Sequence, residues 1–258
     1  MSSMRIAVAG ATGTVGRHVV EVARERGHEV VGLTRSAGVD LTTGEGLAAR
    51  LEGVDVVVDV TSTRAQSRKG AEAFFGSVTR TLTTAERAAG IGHHVALSII
   101  GIDRVPSGYY RGKQLQERLL AEGDQPWSVL RAAQFHEFAE QALGFVRVGP
   151  VSLVPVMRSQ PVAAREVAES LVDLAASGPA GPAGRVADLA GPEEHRVDRM
   201  ARELCRARGL RRSVVPLRLP GAAGRAMRDG SLTAAGDPTA VLGRTTFAEW
   251  LAAGGRAG

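Results

Sequence analysis

The sequence predicts an α/β fold: a doubly wound parallel sheet with a smaller, irregular C-terminal region. Three observations predict it. Short apolar runs recur through the first half of the chain, helical patterns alternate with them, and spaced glycines join the first run to the first helix. The runs lie at 5–9, 28–33, 54–60, 93–99 and 127–131 and are mostly too apolar to leave one face in water. The helical patterns lie at 15–26, 45–51, 67–89 and 110–121. Such alternation argues for parallel strands with helices on both faces. After about residue 145 it breaks down. Short strands at 151–154, 186–189 and 213–217 mix there with helices at 165–176, 194–208 and 245–252, and with the loop Gly178-Pro179-Ala180-Gly181-Pro182. The expected division is a sheet domain over 1–145 and a smaller substrate-side region over 146–258 packed on it.

The first element carries the most chemistry. Ile6-Ala7-Val8-Ala9 delivers Gly10, Gly13 and Gly16, and a helical pattern follows. Gly10 permits a tight turn out of a buried strand, and Gly13 lets the backbone approach a pyrophosphate. Gly16 lets the helix pack close to the sheet, with its first amides and positive dipole end facing the phosphates. This spacing in this context predicts a dinucleotide site on a Rossmann-type sheet.

The second strand ends in Val31-Gly32-Leu33-Thr34-Arg35-Ser36. A site that prefers NAD places a carboxylate there, on the ribose 2′-hydroxyl. Here Arg35 is available to a 2′-phosphate, and Thr34 and Ser36 add hydroxyls, so NADP(H) is expected over NAD(H). The link to the next helix is short and leaves only Gly38-Val39-Asp40-Leu41 as material for a third strand.

Composition excludes several classes. No apolar stretch of the 258 residues reaches the roughly 20 that a membrane helix needs. The N-terminus runs almost directly into a strand, without a signal-peptide pattern, and a cytoplasmic location is expected. One cysteine, Cys205, excludes an internal disulfide and a multi-cysteine zinc site; its helical, apolar context predicts a buried, inert thiol. The net charge is +5, but the arginines are scattered and often sit beside acids, so no nucleic-acid partner is expected. Of the 32 basic residues only Lys69 and Lys113 are lysines. Lysine is a compact donor whose pKa shifts readily, which draws notice to Lys113.

Reactive side chains cluster between 98 and 136. Val95-Ala96-Leu97-Ser98 is a buried strand ending in a hydroxyl, and Tyr109-Tyr110-Arg111-Gly112-Lys113 follows. Tyr109 and Lys113 are four apart, which on a helix puts phenol and ammonium on one face. A neighbouring ammonium favours the phenolate, so a lowered Tyr109 pKa suited to proton transfer is expected. Lys113 is also placed to reach the nicotinamide ribose, and Ser98 to orient a substrate carbonyl.

With these residues in view, the sequence resembles the atypical short-chain dehydrogenase/reductase superfamily, in its NmrA-like, NAD(P)H-binding branch. The carriers are GATGTVG, Arg35, Asp40-Leu41, Asp59-Val60-Thr61-Ser62, HHVALSIIG at 93–101, YYRGK at 109–113, LRAAQFHEF at 130–138 and Gln160-Pro161-Val162. The resemblance implies that Thr12, Thr14, Val15, Thr61 and Ser62 line the cofactor. It puts Asp40 and Leu41 near the adenine, and Gln134, Phe135 and His136 near the nicotinamide end. The interval from Ser98 to Tyr109 is slightly shorter than the superfamily's usual one.

Other candidates carry less. His93-His94 reads as a turn or surface pair, with no third ligand spaced for a metal. His136 follows a strand where open α/β sheets bind ligands, and is the candidate substrate contact. Asp103 and Arg104 read as solvated, Trp127 as core, and Trp250 with Phe247 and Leu251 as packing for the last helix. Met157, Leu217, Leu219 and Met227 read either as an apolar pocket or as core. The function expected is NADPH-dependent reduction of a small carbonyl, quinone or activated alkene, with Tyr109 as proton donor. A redox sensor that binds NADP(H) with little turnover, and a non-redox enzyme that retains its dinucleotide, are the alternatives. The partners expected are a small-molecule substrate and at most a second copy of the chain.

Overall fold

The computed structural model describes residues 3–178 and 184–255. In chain order the elements are β1 (Arg5–Ala9), α1 (Thr14–Glu25), β2 (Glu29–Leu33), α2 (Leu47–Leu51), β3 (Val56–Asp59), α3 (Arg68–Ala89), β4 (His93–Ile99), α4 (Gly108–Ala121) and β5 (Trp127–Ala132). There follow α5 (Phe138–Ala142), β6 (Val146–Val148), β7 (Val151–Pro155), β8 (Arg158–Ser159), α6 (Ala164–Ser177), β9 (Gly184–Arg185), β10 (Leu189–Ala190) and β11 (His195–Arg196). The chain ends with α7 (Val197–Ala207), β12 (Ser213–Leu217), α8 (Gly221–Arg228), β13 (Val241–Leu242) and α9 (Phe247–Ala252). Beyond Gly178, the Pro/Gly loop expected at 178–182 lies outside the described residues.

The chain forms two compact units. The first takes Met1–Ile99, Ser107–Arg131 and Arg165–Val186. Its strands run in the order β2-β1-β3-β4-β5. β1 pairs in parallel with both β2 and β3, so Ile6 stands between Val30 and Val56. β3 pairs in parallel with β4, with Asp59 opposite Ala96. Ile6 to Ala9 and Val56 to Val58 are fully buried, as strands covered on both faces must be. Successive side chains alternate between faces. Ala7, Ala9, Val31, Leu33 and Val57 form one cluster with Leu47 and Leu51 of α2 and Val78 and Leu82 of α3. α1 and α6 are tied together by ion pairs from Arg165 to Glu21 and Glu25 and from Arg26 to Asp173.

The doubly wound α/β reading holds, with one correction. Residues 38–41 form no strand. Asp40 folds back onto Thr42, its Oδ1 accepting from the Thr42 amide at 2.7 Å and hydroxyl at 2.6 Å, and Gly38, Gly44 and Gly46 hold positive φ. That is turn chemistry, which leaves no extended backbone to pair.

The second unit takes Ile100–Pro106, Ala132–Ala164 and Ala187–Gly258. It contains the three-stranded sheet β12-β7-β6, the antiparallel pair β11-β8, and β10, which pairs with Ala132 at the end of β5 and with β13. Phe247 and Trp250 of α9 stack at 5.6 Å; separately, Met157 is buried, whereas Leu217, Leu219 and Met227 are half-buried.

Candidate functional site

The site is built on the turn between β1 and α1. Gly10 has φ +84, and a Cβ there would stand 2.9 Å from the Val60 carbonyl oxygen. A Cβ on Gly16 would stand 2.1 Å from the Gly10 carbonyl oxygen. Gly10 and Gly16 therefore close the turn against β3 and α1. At Gly13 a Cβ would meet only Gly10 O, at 3.3 Å, so the missing side chain opens outward. Gly13 also caps α1 with no side-chain hydrogen bond, and the first turn of α1 carries no acid. Its first amides have no intrahelical acceptor, which makes this end a ready anion site. The cradle fits a pyrophosphate. Thr12 is exposed, Thr14 half-buried, and Val15 turns into the core.

At the end of β2, Thr34 Oγ1 accepts from the Ala37 amide at 3.2 Å and lies 3.1 Å from Ser36 Oγ. This caps a short 3-10 turn that holds Arg35 exposed at its start, with no carboxylate on the turn. Asp40 lies near enough for the Arg35 charge to help hold its carboxyl below the usual range, but the Thr42 hydroxyl and amide contribute more. Its Oδ1 is committed to Thr42, whereas Leu41 packs against the core cluster.

The ends of β3 and β4 and the start of α4 bring the reactive set together. Tyr109 Oη lies 3.0 Å from Ser62 Oγ, and its ring meets Phe75 edge-on at 5.6 Å. Burial pushes the phenol pKa up, and the Ser62 hydrogen bond only partly offsets it. The lowered pKa expected for Tyr109 is therefore corrected, because desolvation outweighs any help to the phenolate. Ser98 Oγ and Thr61 Oγ1 are buried with no hydrogen-bond partner among the described residues. Their strands pair with Asp59 opposite Ala96, so Thr61 and Ser98 extend the same register by two residues. Two unsatisfied buried hydroxyls at the C-terminal edge of a parallel sheet are costly unless a ligand or water meets them.

Lys113 is 3% exposed and faces inward. Its Nζ donates to Leu97 O at 2.8 Å, Gln116 Oε1 at 2.9 Å and Thr61 O at 3.4 Å, and sits 4.5 Å from the centre of the Phe75 ring. The three donors are directed at the protein, since a buried ammonium must be satisfied. Gln116 in turn donates to Asp59 Oδ2 at 2.8 Å, and Asp59 Oδ1 accepts from the Thr61 amide at 2.8 Å. Burial pulls the Lys113 pKa down to about 8, against the opposing pull of Asp59 and Glu117. Lys113 and Asp59 thus clamp the backbone of Thr61, next to Ser62. The partner Gln116 went unread in the sequence, although Lys-x-x-Gln on a helix puts both on one face.

His93-His94 is not a surface pair. His94 is fully buried, with Nδ1 2.9 Å from Glu86 Oε1, and His93 Nε2 lies 2.8 Å from Ser128 Oγ. Burial opposes charge on His94, but Glu86, with Asp59 behind it, raises its pKa overall. Among the described residues no cluster of His, Cys, Asp and Glu is arranged to hold a metal.

Gln134, Phe135 and His136 belong to the second unit. Gln134 O and His136 N bond to the backbone of Val162. His136 is 1% exposed, with Nε2 3.0 Å from Thr245 O and its ring 5.7 Å from those of Phe247 and Trp250. That is a packed position. Cys205 is buried with its thiol pKa pushed up by burial, as an inert cysteine should be. No described helix is long and apolar enough to cross a membrane.

The family described as NAD(P)H-binding matches residues 10–177. The photosystem II assembly factor Ycf39 of Synechocystis is 30% identical over 147 residues, 51% of this chain and 45% of that protein, so the match spans less than half of that relative. Among solved structures, the NADPH-dependent quinone oxidoreductase QOR2 of Escherichia coli superposes with a TM-score of 0.64 at 19% identity, covering 96% of this chain and 99% of that one. UDP-N-acetylglucosamine 4-epimerase of Bacillus cereus superposes with a TM-score of 0.65 at 19% identity, covering 96% and 95%. At such identities the superpositions speak for the fold. The chain belongs to the NAD(P)H-binding family.

Proposed function

We propose that this protein is an NADPH-dependent oxidoreductase of the NmrA-like branch that reduces a small carbonyl, quinone or activated alkene. The observation that carries the reading is the Tyr109–Ser62 pair beside the two unsatisfied hydroxyls of Thr61 and Ser98. A nicotinamide bound there supplies hydride. Tyr109, kept protonated by its raised pKa, holds the proton that a reduced oxygen or carbon must receive. Ser98 offers a hydroxyl to the acceptor's oxygen, and Lys113 acts at a distance, by holding Thr61 and Ser62 in place. Arg35, on a turn without a carboxylate, supports NADPH over NADH. The substrate is a small molecule.

The inward-facing Lys113 also favours a second reading, a redox sensor that binds NADP(H) with little turnover. Loss of NADPH absorbance against a panel of quinones, enones and aldehydes separates the two. Consumption that collapses in Tyr109→Phe supports the reductase with this proton donor. Tight NADPH binding without consumption on any substrate supports the sensor.

A further inference from the structure

At the junction of α7 and β12, wholly within the second unit, lies a cavity of about 350 Å³. Arg202, Arg206 and Arg212 line it, with Leu210 and Val214 as apolar walls, and no carboxylate is among its lining residues. Its volume is within the usual range for small-molecule sites.

The three arginines are not equally occupied. Arg202 donates to Asp198 Oδ2 at 3.1 Å and to Val214 O at 3.2 Å, which fixes its guanidinium in the wall. The side chains of Arg206 and Arg212 have no ion pair or hydrogen bond among the described residues. Elsewhere the chain pairs its arginines readily, as Arg26, Arg131, Arg158, Arg165 and Arg196 show. Nor are the two free guanidiniums needed to cap α7. The Leu204, Cys205 and Arg206 carbonyls already accept from the amides of Arg208, Leu210 and Gly209. Uncompensated positive charge gathered on one concave surface raises the local concentration of anions. Guanidinium forks match phosphate oxygens in a bidentate manner.

We propose that this cavity binds a small phosphate monoester, with Arg206 and Arg212 gripping the phosphate and Leu210 and Val214 covering the organic part. None of these residues belongs to the dinucleotide cradle, so the proposal stands apart from the reductase reading.

The test uses the full chain saturated with NADPH, followed through the arginine Nε–Hε NMR signals. Inorganic phosphate and glycerol phosphate are titrated against acetate at equal ionic strength. Saturable shifts of the Arg206 and Arg212 signals are expected, tighter for glycerol phosphate; in Arg206→Gln/Arg212→Gln, which lacks those signals, the affinity read from the Arg202 signal of the same cavity should fall at least about ten-fold at unchanged Tm. A response to acetate equal to that of phosphate, no saturation, or unchanged affinity in the double variant would overturn the site. Arg212→Gln alone is read in the same way if the double variant does not fold. These signals report on this cavity whether or not NADPH is turned over.

Discussion

The hydroxyls of Tyr109 and Ser62 lie 3.0 Å apart, joining the first turn of α4 to the segment that follows β3. A general acid in the role proposed for Tyr109 contributes about 10²–10⁴ in rate. Tyr109→Phe is therefore expected to lower kcat/KM for NADPH consumption by roughly that factor while leaving NADPH affinity near the wild-type value. The Ser62 bond pulls the phenol pKa down, so in Ser62→Ala the alkaline limb of the pH–rate profile should move to higher pH. A limb that stays in place would remove Tyr109 from the proton-transfer step.

Lys113 makes stability depend on pH with an unusual sign. Its folded-state pKa, about 8, lies below the ordinary value of 10.5. Between those two values the unfolded chain binds more protons than the native one, so native stability rises with pH across that window. The cost of burying the ammonium is fully present below about pH 8 and is relieved above it. Urea titrations from pH 7 to 10 should show the rise in the wild type and its absence in Lys113→Met.

Substitutions at Gly13 and Gly16 should separate cofactor binding from folding. Gly16→Ala forces a Cβ to 2.1 Å from a carbonyl oxygen and should destabilise the fold by several kcal/mol, on the order of severe core overpacking. Gly13→Ala meets only one atom, at 3.3 Å, but its methyl occupies the face that the pyrophosphate needs. Calorimetry should find NADPH binding weakened about ten-fold or more in Gly13→Ala, with Tm lowered only slightly.

Arg35 is exposed on a turn that carries no carboxylate. Removing its guanidinium in Arg35→Ala should weaken NADPH binding by about 1.5–3 kcal/mol, the worth of a charged hydrogen bond, and leave NADH binding unchanged. Equal weakening for the two cofactors would take the 2′-phosphate away from Arg35.

Glu86 and His94 are both fully buried and lie 2.9 Å apart. Removing one partner strands the other charge, so His94→Leu should cost about 3–5 kcal/mol, and Glu86→Leu/His94→Leu should recover much of that loss. The raised pKa of His94 means that the stability from its charge is complete below pH 6.5 and fades as pH rises through the folded value. Additive losses in the double variant would show that the two groups do not act as a pair.

The parallel sheet and the Gly10–Gly16 turn could be read from pattern alone, because buried strands need unbroken apolar runs and this turn needs glycine. Tyr109 and Lys113 were legible as residues but not as partners. Helical spacing puts them on one face, whereas burial turns Lys113 toward Leu97 and Gln116, and only the fold brings Ser62 to Tyr109. His93 and His94 misread as surface because their partners, Ser128 and Glu86, lie on other elements. The short helices Phe138–Ala142 and Gly221–Arg228 were not expected from the sequence.

Arg165 reaches back across the sequence to Glu21 and Glu25. The first unit therefore waits on chain made late. As the polypeptide emerges from a ribosome, α1 and the glycine turn form early, but their neighbour α6 follows only after a long intervening stretch that includes two segments of the second unit. Vectorial folding cannot finish one unit before beginning the other. A nascent chain arrested near residue 145 should stay protease-sensitive around α1, and one released beyond residue 186 should be protected there.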